Sequence, residues 1–231
     1  KISPTAGNLG GTALKDGDMF GTSVGLIGDL DDDQIPDIVV GSPFDDDGLG
    51  PNDQDFGAVW VINLDVEGKV KTKRKLSNKS GQFGSGGFFD NPIAQYSAFG
   101  SSVSGIGDFN GDGVADIAVG AEGIDDGAAD PTDVDANLGG FWIIYLDPDG
   151  SVKEDMQRFK VSALEGGFTG ELDQYDNLGS AITPLGDIDN DGVTDLAVGA
   201  HLDDDGGVGI HANHGAVWVM LMNADATVKS Y

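Results

Sequence analysis

Cysteine is absent from this sequence, so disulfides and thiolate chemistry are excluded and composition carries no redox mark of compartment. Positive charge is scarce. Lys and Arg number 12 against 40 Asp and Glu, giving a formal net charge of −28. Such a surface repels phosphates and anionic lipid heads, which argues against nucleic acid and acidic membranes as partners. Histidine numbers only three, which, with no cysteine, argues against zinc. No apolar run approaches the ~18 residues of a membrane span, and Lys1 begins no signal peptide. No segment sustains a 3.6-residue apolar period, so almost no helix is expected. Phosphate-loop and dinucleotide fingerprints are missing.

What is present is a repeat. Phe20-Gly-Thr-Ser-Val-Gly-Leu-Ile-Gly-Asp29, Phe99-Gly-Ser-Ser-Val-Ser-Gly-Ile-Gly-Asp108 and Leu178-Gly-Ser-Ala-Ile-Thr-Pro-Leu-Gly-Asp187 align, with starts 79 residues apart in both steps. Each runs through an Asp-rich loop into a short apolar strand: Asp37–Ser42, Asp116–Ala121 and Asp195–Ala200. A second acidic loop follows, then a β-branched and aromatic strand: Gly57–Ile62, Gly140–Tyr145 and Gly215–Met220. The last piece is polar and lysine-bearing: Val70–Lys73, Val152-Lys153 and Val228–Tyr231. It leads to Lys75-Leu-Ser77 and Lys160-Val-Ser162; Lys1-Ile-Ser3 has the same phase, so the chain is expected to start and stop in step with its repeat. Hydrophobic content of 39% supports a core, and 38 glycines supply turns. The expected fold is all-β: three four-stranded repeats, about residues 1–74, 75–159 and 160–231, each a β-propeller blade. The second and third strands of each read as buried on both faces, and the fourth as an edge strand protected by its lysines.

The Asp loops carry the chemistry. Asp29, Asp31, Asp33, Ile35 and Asp37 recur as Asp108, Asn110, Asp112, Val114 and Asp116, and again as Asp187, Asp189, Asp191, Val193 and Asp195. Side-chain oxygens stand at positions 1, 3, 5 and 9, and position 7 can offer a backbone carbonyl. That pattern suits a hard cation taking ~6–8 oxygens, calcium rather than magnesium. An EF-hand would need a bidentate Glu at position 12, where these loops have Val40, Val119 and Val198 inside an apolar strand. Glycine at position 6 in the second and third loops eases the turn; Gln34 stands there in the first, which predicts altered geometry or affinity. The second acidic loops, with Asp45 to Asp47, Asn52, Asp53 and Asp55, Asp125 and Asp126, Asp133, Asp135 and Asn137, and Asp203 to Asp205, are spaced irregularly and read as solvated charge more than as a second cation site.

The order Phe-Gly-x-Ser-Val, Asp-x-Asp/Asn-x-Asp-Gly-x-x-Asp, then Val-Gly-Ala/Ser resembles the FG-GAP repeat, found in the integrin α-subunit head and in long bacterial surface proteins. The acidic loop followed by Gly-Ala-Val-Trp looks closer to the bacterial arrays. The resemblance covers essentially the whole chain and implies propeller blades with calcium in the hairpin loops. A closed propeller typically has ~4–8 blades, so three repeats imply a longer array, several chains completing a ring, or an open stack. The expected function is a non-enzymatic, calcium-stabilised module of an extracellular or cell-surface setting, with a protein or glycan ligand, or further copies of itself, as partner and no membrane insertion. Two alternatives are a calcium-dependent lectin, with Trp60, Trp142 and Trp218 as a stacking platform, and a propeller of a polysaccharide-acting enzyme, with His201, His211 and His214 as a base or metal cluster. The periodic tryptophans read better as inter-blade core, and the histidines as surface-loop residues.

Overall fold

The computed structural model describes residues 1–11, 14–46, 55–80, 93–126, 136–153, 159–204 and 213–231. Among them stand twelve strands and no helix, as the absence of a 3.6-residue period predicts. The first sheet comprises β1 (Val24–Gly28), β2 (Asp37–Ser42), β3 (Ala58–Leu64) and β4 (Val70–Leu76). The second comprises β5 (Phe99–Gly107), β6 (Asp116–Ala121), β7 (Gly140–Ile144) and β8 (Phe159–Ser162), and the third β9 (Leu178–Gly186), β10 (Asp195–Ala200), β11 (Ala216–Met222) and β12 (Val228–Ser230). Each sheet is an antiparallel meander in chain order. Three such sheets are the blades of a β-propeller architecture.

The sheets stack face on face, and two cores lie between them. Val39, Val59 and Val61 of the first sheet meet Phe99, Val103, Ile117, Val119 and Trp142 of the second. Ala118, Phe141 and Ile143 of the second meet Leu178, Ile182, Leu196 and Val198 of the third. A third cluster on the opposite face of the first sheet joins Val40, Trp60 and Ile62 to Leu9, Ile2, Leu14 and Phe20 of the leading segment. Alternate residues of β2 and β3 therefore serve different cores, so continuous apolar runs are needed where a strand is buried on both faces. Trp142 is buried in the core between the first two sheets, as the sequence reading favoured, whereas Trp60 is buried against the leading segment and Trp218 is half-buried beside the second core.

Two features differ from the sequence reading. β11 is not buried on both faces: Val217 and Val219 are exposed. The fourth strand also departs from the polar stretch that defines it in sequence: Val152-Lys153 lies outside β8, with Val152 only in an isolated bridge to Leu146, and β4 runs on past Lys73. β4 continues to Leu76, pairing Lys75 with Trp60 and Leu76 with Val59, and β8 pairs Lys160 with Trp142 and Val161 with Phe141. The triplets Lys75-Leu76-Ser77 and Lys160-Val161-Ser162, which open the second and third repeats in sequence, thus extend the sheet before them.

Sheet-to-sheet contact is close enough to require glycine. A Cβ at Gly41 would meet the Gly100 carbonyl oxygen at 2.0 Å, and one at Gly120 the Gly179 oxygen at the same distance. Ser23 and Ser102 hydroxyls donate to those carbonyls at 2.8 and 2.7 Å.

Candidate metal centres

Each Asp loop joins the first two strands of its sheet, and its first carboxylate organises the turn. Asp29 accepts the amides of Asp33 and Gln34 at 2.9 and 2.7 Å. Asp108 accepts those of Asp112 and Gly113, and Asp187 those of Asp191 and Gly192. The fifth-position carboxylates, Asp33, Asp112 and Asp191, each accept the amide two residues on, from Ile35, Val114 and Val193, at 2.8 to 2.9 Å. Val114 and Val193 pack into the inter-sheet cores, and Ile35 is half-buried. Their carbonyls are the groups this position can offer a cation.

The ninth-position carboxylates are fully buried. Asp37 accepts the Leu30 amide and, from the far end of β3, the Leu64 amide, both at 2.9 Å. Asp116 does the same with Phe109 and Leu146, and Asp195 with Ile188 and Met222. Burial raises the Asp37 carboxyl against the pull of those amides, and burial pushes Asp116 up to about 7.

One oxygen from each of Asp29, Asp31 and Asp37 lies within 4.8 Å of the others, and Asp187, Asp189 and Asp195 form the same group. Third-position side chains point into these groups. Asp31 Oδ1 and Asp189 Oδ1 are buried with no hydrogen-bond partner; in the second loop Asn110 Oδ1 accepts the Asp112 amide and its Nδ2 is the unpartnered atom, so its amide must turn over to offer an oxygen to a cation. A buried carboxylate oxygen left unpaired is costly unless a cation meets it. The donor set, all oxygen and mostly anionic, fits a calcium-type ion. Gln34 does not distort the first loop: its backbone takes φ +70°, close to the +90° of Gly113 and Gly192, and the carboxylates converge as in the third loop.

Sequence reasoning missed a set of lysines at these loops. Lys71 on β4 bridges Asp31 Oδ2 and Asp33 Oδ2 at 2.8 and 2.6 Å. Lys153 pairs with Asp112, and Lys229 with Asp189 Oδ2 and Asp191 Oδ2. The signal was the lysine that follows each of Val70, Val152 and Val228, read as edge protection. The ammonium groups hold the outer oxygens and leave Oδ1 of Asp31 and Asp189 without a hydrogen-bond partner. Lys71 holds the Asp31 carboxyl below its ordinary value, and Lys229 does so for Asp191. At Asp112 burial works the other way, but Lys153 and the Val114 amide outweigh it and the net shift is downward.

The second acidic loops are less solvated than their composition suggests. Asp45 and Asp203 are buried. Asp45 pairs with Lys75 at 2.6 Å, and Asp126 with Lys160, because the lysine of each Lys-apolar-Ser triplet reaches back to the loop. Asp46 accepts the Asp55 amide, and Asp125 the Asn137 amide. Asp47, Asn52, Asp53, Asp133, Asp135 and Asp205 lie outside the described residues, as does His211; His201 and His214 are exposed.

The FG-GAP repeat family matches residues 20–62 and 178–220. Integrin alpha-PS5 of Drosophila melanogaster is 31% identical over 186 residues, covering 80% of this chain and 15% of that protein. Integrin alpha-E of Mus musculus is 33% identical over 111 residues, covering 44% and 8%. Integrin alpha-5 of Xenopus laevis is 33% identical over 114 residues, covering 49% and 9%. The chain therefore spans about 15% or less of the length of these relatives.

Proposed function

We propose, from the premise that this chain carries FG-GAP repeats of the integrin α-subunit kind, that it is a calcium-stabilised, non-enzymatic module of an extracellular or cell-surface adhesion protein. Its repeat units are about residues 1–74, 75–159 and 160–231. It presents the loop face and edges of its blades to a protein or glycan ligand. The cation ligands are the side chains of Asp29, Asp31, Asp33 and Asp37, of Asp108, Asn110, Asp112 and Asp116, and of Asp187, Asp189, Asp191 and Asp195, with the carbonyls of Ile35, Val114 and Val193.

The observation that carries this reading is the inward pair of unpartnered oxygens, Asp31 Oδ1 and Asp189 Oδ1, each in a loop of converging carboxylates. A bound calcium would supply positive charge to the carboxylates of each loop. The chain's own residues do the rest: lysines brace the outer oxygens, and the ninth Asp anchors the loop to the far end of the third strand. Titration calorimetry on the calcium-stripped chain tests the assignment. Three equivalents are expected, two after Asp31→Ala or Asp189→Ala; an unchanged stoichiometry in both variants would remove the site assignment.

A further inference from the structure

Each Asp loop has an ammonium group of its own. Lys71 Nζ stands 2.8 Å from Asp31 Oδ2 and 2.6 Å from Asp33 Oδ2. Lys229 Nζ stands 2.5 Å from Asp189 Oδ2 and 2.9 Å from Asp191 Oδ2. Lys153 reaches Asp112 Oδ2, and Asn110 replaces the third-position carboxylate in that loop. The contact survives a change of spacing. Lys71 lies 38 residues from Asp33 and Lys229 lies 38 from Asp191, but Lys153 lies 41 from Asp112. A chain with 12 Lys and Arg against 40 Asp and Glu sets three of its cations at equivalent places, which chance surface pairing does not explain.

The lysine engages the fifth-position carboxylate on the oxygen its own backbone leaves open. Asp33 Oδ1 accepts the Ile35 amide, and Asp33 Oδ2 meets Lys71. Asp112 and Asp191 divide their oxygens the same way, Oδ1 on the amides of Val114 and Val193 and Oδ2 on lysine. Hydrogen bonds to Asp31 and Asp33 raise Lys71 above its ordinary value, those to Asp189 and Asp191 raise Lys229, and the one to Asp112 raises Lys153. All three ammonium groups therefore stay charged. Their side chains are between 26% and 40% exposed, so each long stem can carry its charge out to water when another cation arrives. The first and third loops set four ligand-position carboxylates against one ammonium, and the second sets three against one.

We propose that Lys71, Lys153 and Lys229 are the resident counter-ions of the cation-free loops, and that each lowers its loop's affinity for a divalent ion. The proposal rests on the calcium reading above and adds a regulation to it. Two demands on the loop conflict. Converging carboxylates repel one another when no cation is near, and the same carboxylates with no lysine would hold a divalent ion more tightly. The lysine relieves the first and opposes the second, by holding the outer oxygens and by repelling the incoming charge. It moves the loops toward the weak end of calcium affinities, the range of extracellular modules. The second loop, with the fewest carboxylates, is the weakest of the three.

Calorimetric titration of the calcium-stripped chain and thermal melting in chelator, read on the same variants, are the test. Lys71→Met and Lys229→Met should each tighten one calcium site about tenfold at low ionic strength. Lys153→Met should tighten one site by less, and every gain should shrink as salt rises. In chelator the same variants should melt below the parent chain. Opposite signs are the signature, since a lysine that only braced the fold would lower both quantities. Lys71→Arg keeps the charge and should keep the parent affinity. Lys79→Met, at an exposed position beyond the far end of β4, should leave all three sites unchanged. Calcium binding that is unchanged or weakened in both Lys71→Met and Lys229→Met overturns the proposal and leaves the calcium reading standing. No calcium uptake by the parent chain overturns that reading and this proposal with it.

Discussion

Asp31 and Asp37 share a loop but answer to different partners. Asp37 is fully buried and accepts amides from both ends of its hairpin, so it supports the fold with or without a cation. Asp31 has one oxygen on Lys71 and the other without a hydrogen-bond partner, so its inner oxygen matters through the ion. Asp37→Ala should therefore cost about 2–3 kcal/mol even in chelator, from two orphaned amides. Asp31→Ala should cost little there and lower the melt only when calcium is present; thermal unfolding in both buffers separates the two. Gln34 supplies a second case. Its φ of +70° is one that a side chain strains, so Gln34→Gly should stabilise the chain by about 1 kcal/mol in a denaturant melt. A third concerns protons. In the cation-free chain burial pushes Asp116 up to about 7, so below that pH the proton favours the cation-free form and competes with the ion. Calcium affinity of the second loop should fall as pH drops from 8 to 6, and titrations with Asp116→Asn should lose that dependence.

At the scale of elements, what the sequence made legible was whatever recurs. The apolar runs of β2 and β6, the Asp spacing and the polar fourth strand announce four strands per unit, because a period of two and turn residues follow from local chemistry. What recurs but acts across elements was harder to see. Lys71, Lys153 and Lys229 look like edge protection until Val70-Lys71, Val152-Lys153 and Val228-Lys229 lie beside the Asp loops. Asp45 looks solvated until Lys75, distant in sequence, folds onto it. The exposure of β11 was also illegible, since Ala216–Met222 is as apolar as Ala58–Leu64 and only the neighbour differs. The Lys75–Asp45 pair gives this scale its prediction. Lys75→Ala leaves a buried carboxylate facing lost charge and loosens β4 from the loop after β2. A loss of about 3 kcal/mol is expected, with faster amide exchange in Val70–Leu76 as the local readout.

At the scale of the molecule, a formal charge of −28 opposes compaction, and the acidic loops concentrate that charge on the hairpins. On the proposed reading, calcium in three loops would bind only the folded chain, and each site would add about 2.7 kcal/mol at a hundredfold excess over its dissociation constant. Removing all three therefore removes a share comparable to the net stability of an ordinary domain. The direct measurement is the thermal melt of one preparation in calcium and after chelation, at fixed ionic strength. The account predicts a steep fall in melting temperature, or loss of the transition, restored by adding calcium back. A melting temperature unmoved by chelation, in a chain shown to be calcium-free, would contradict it.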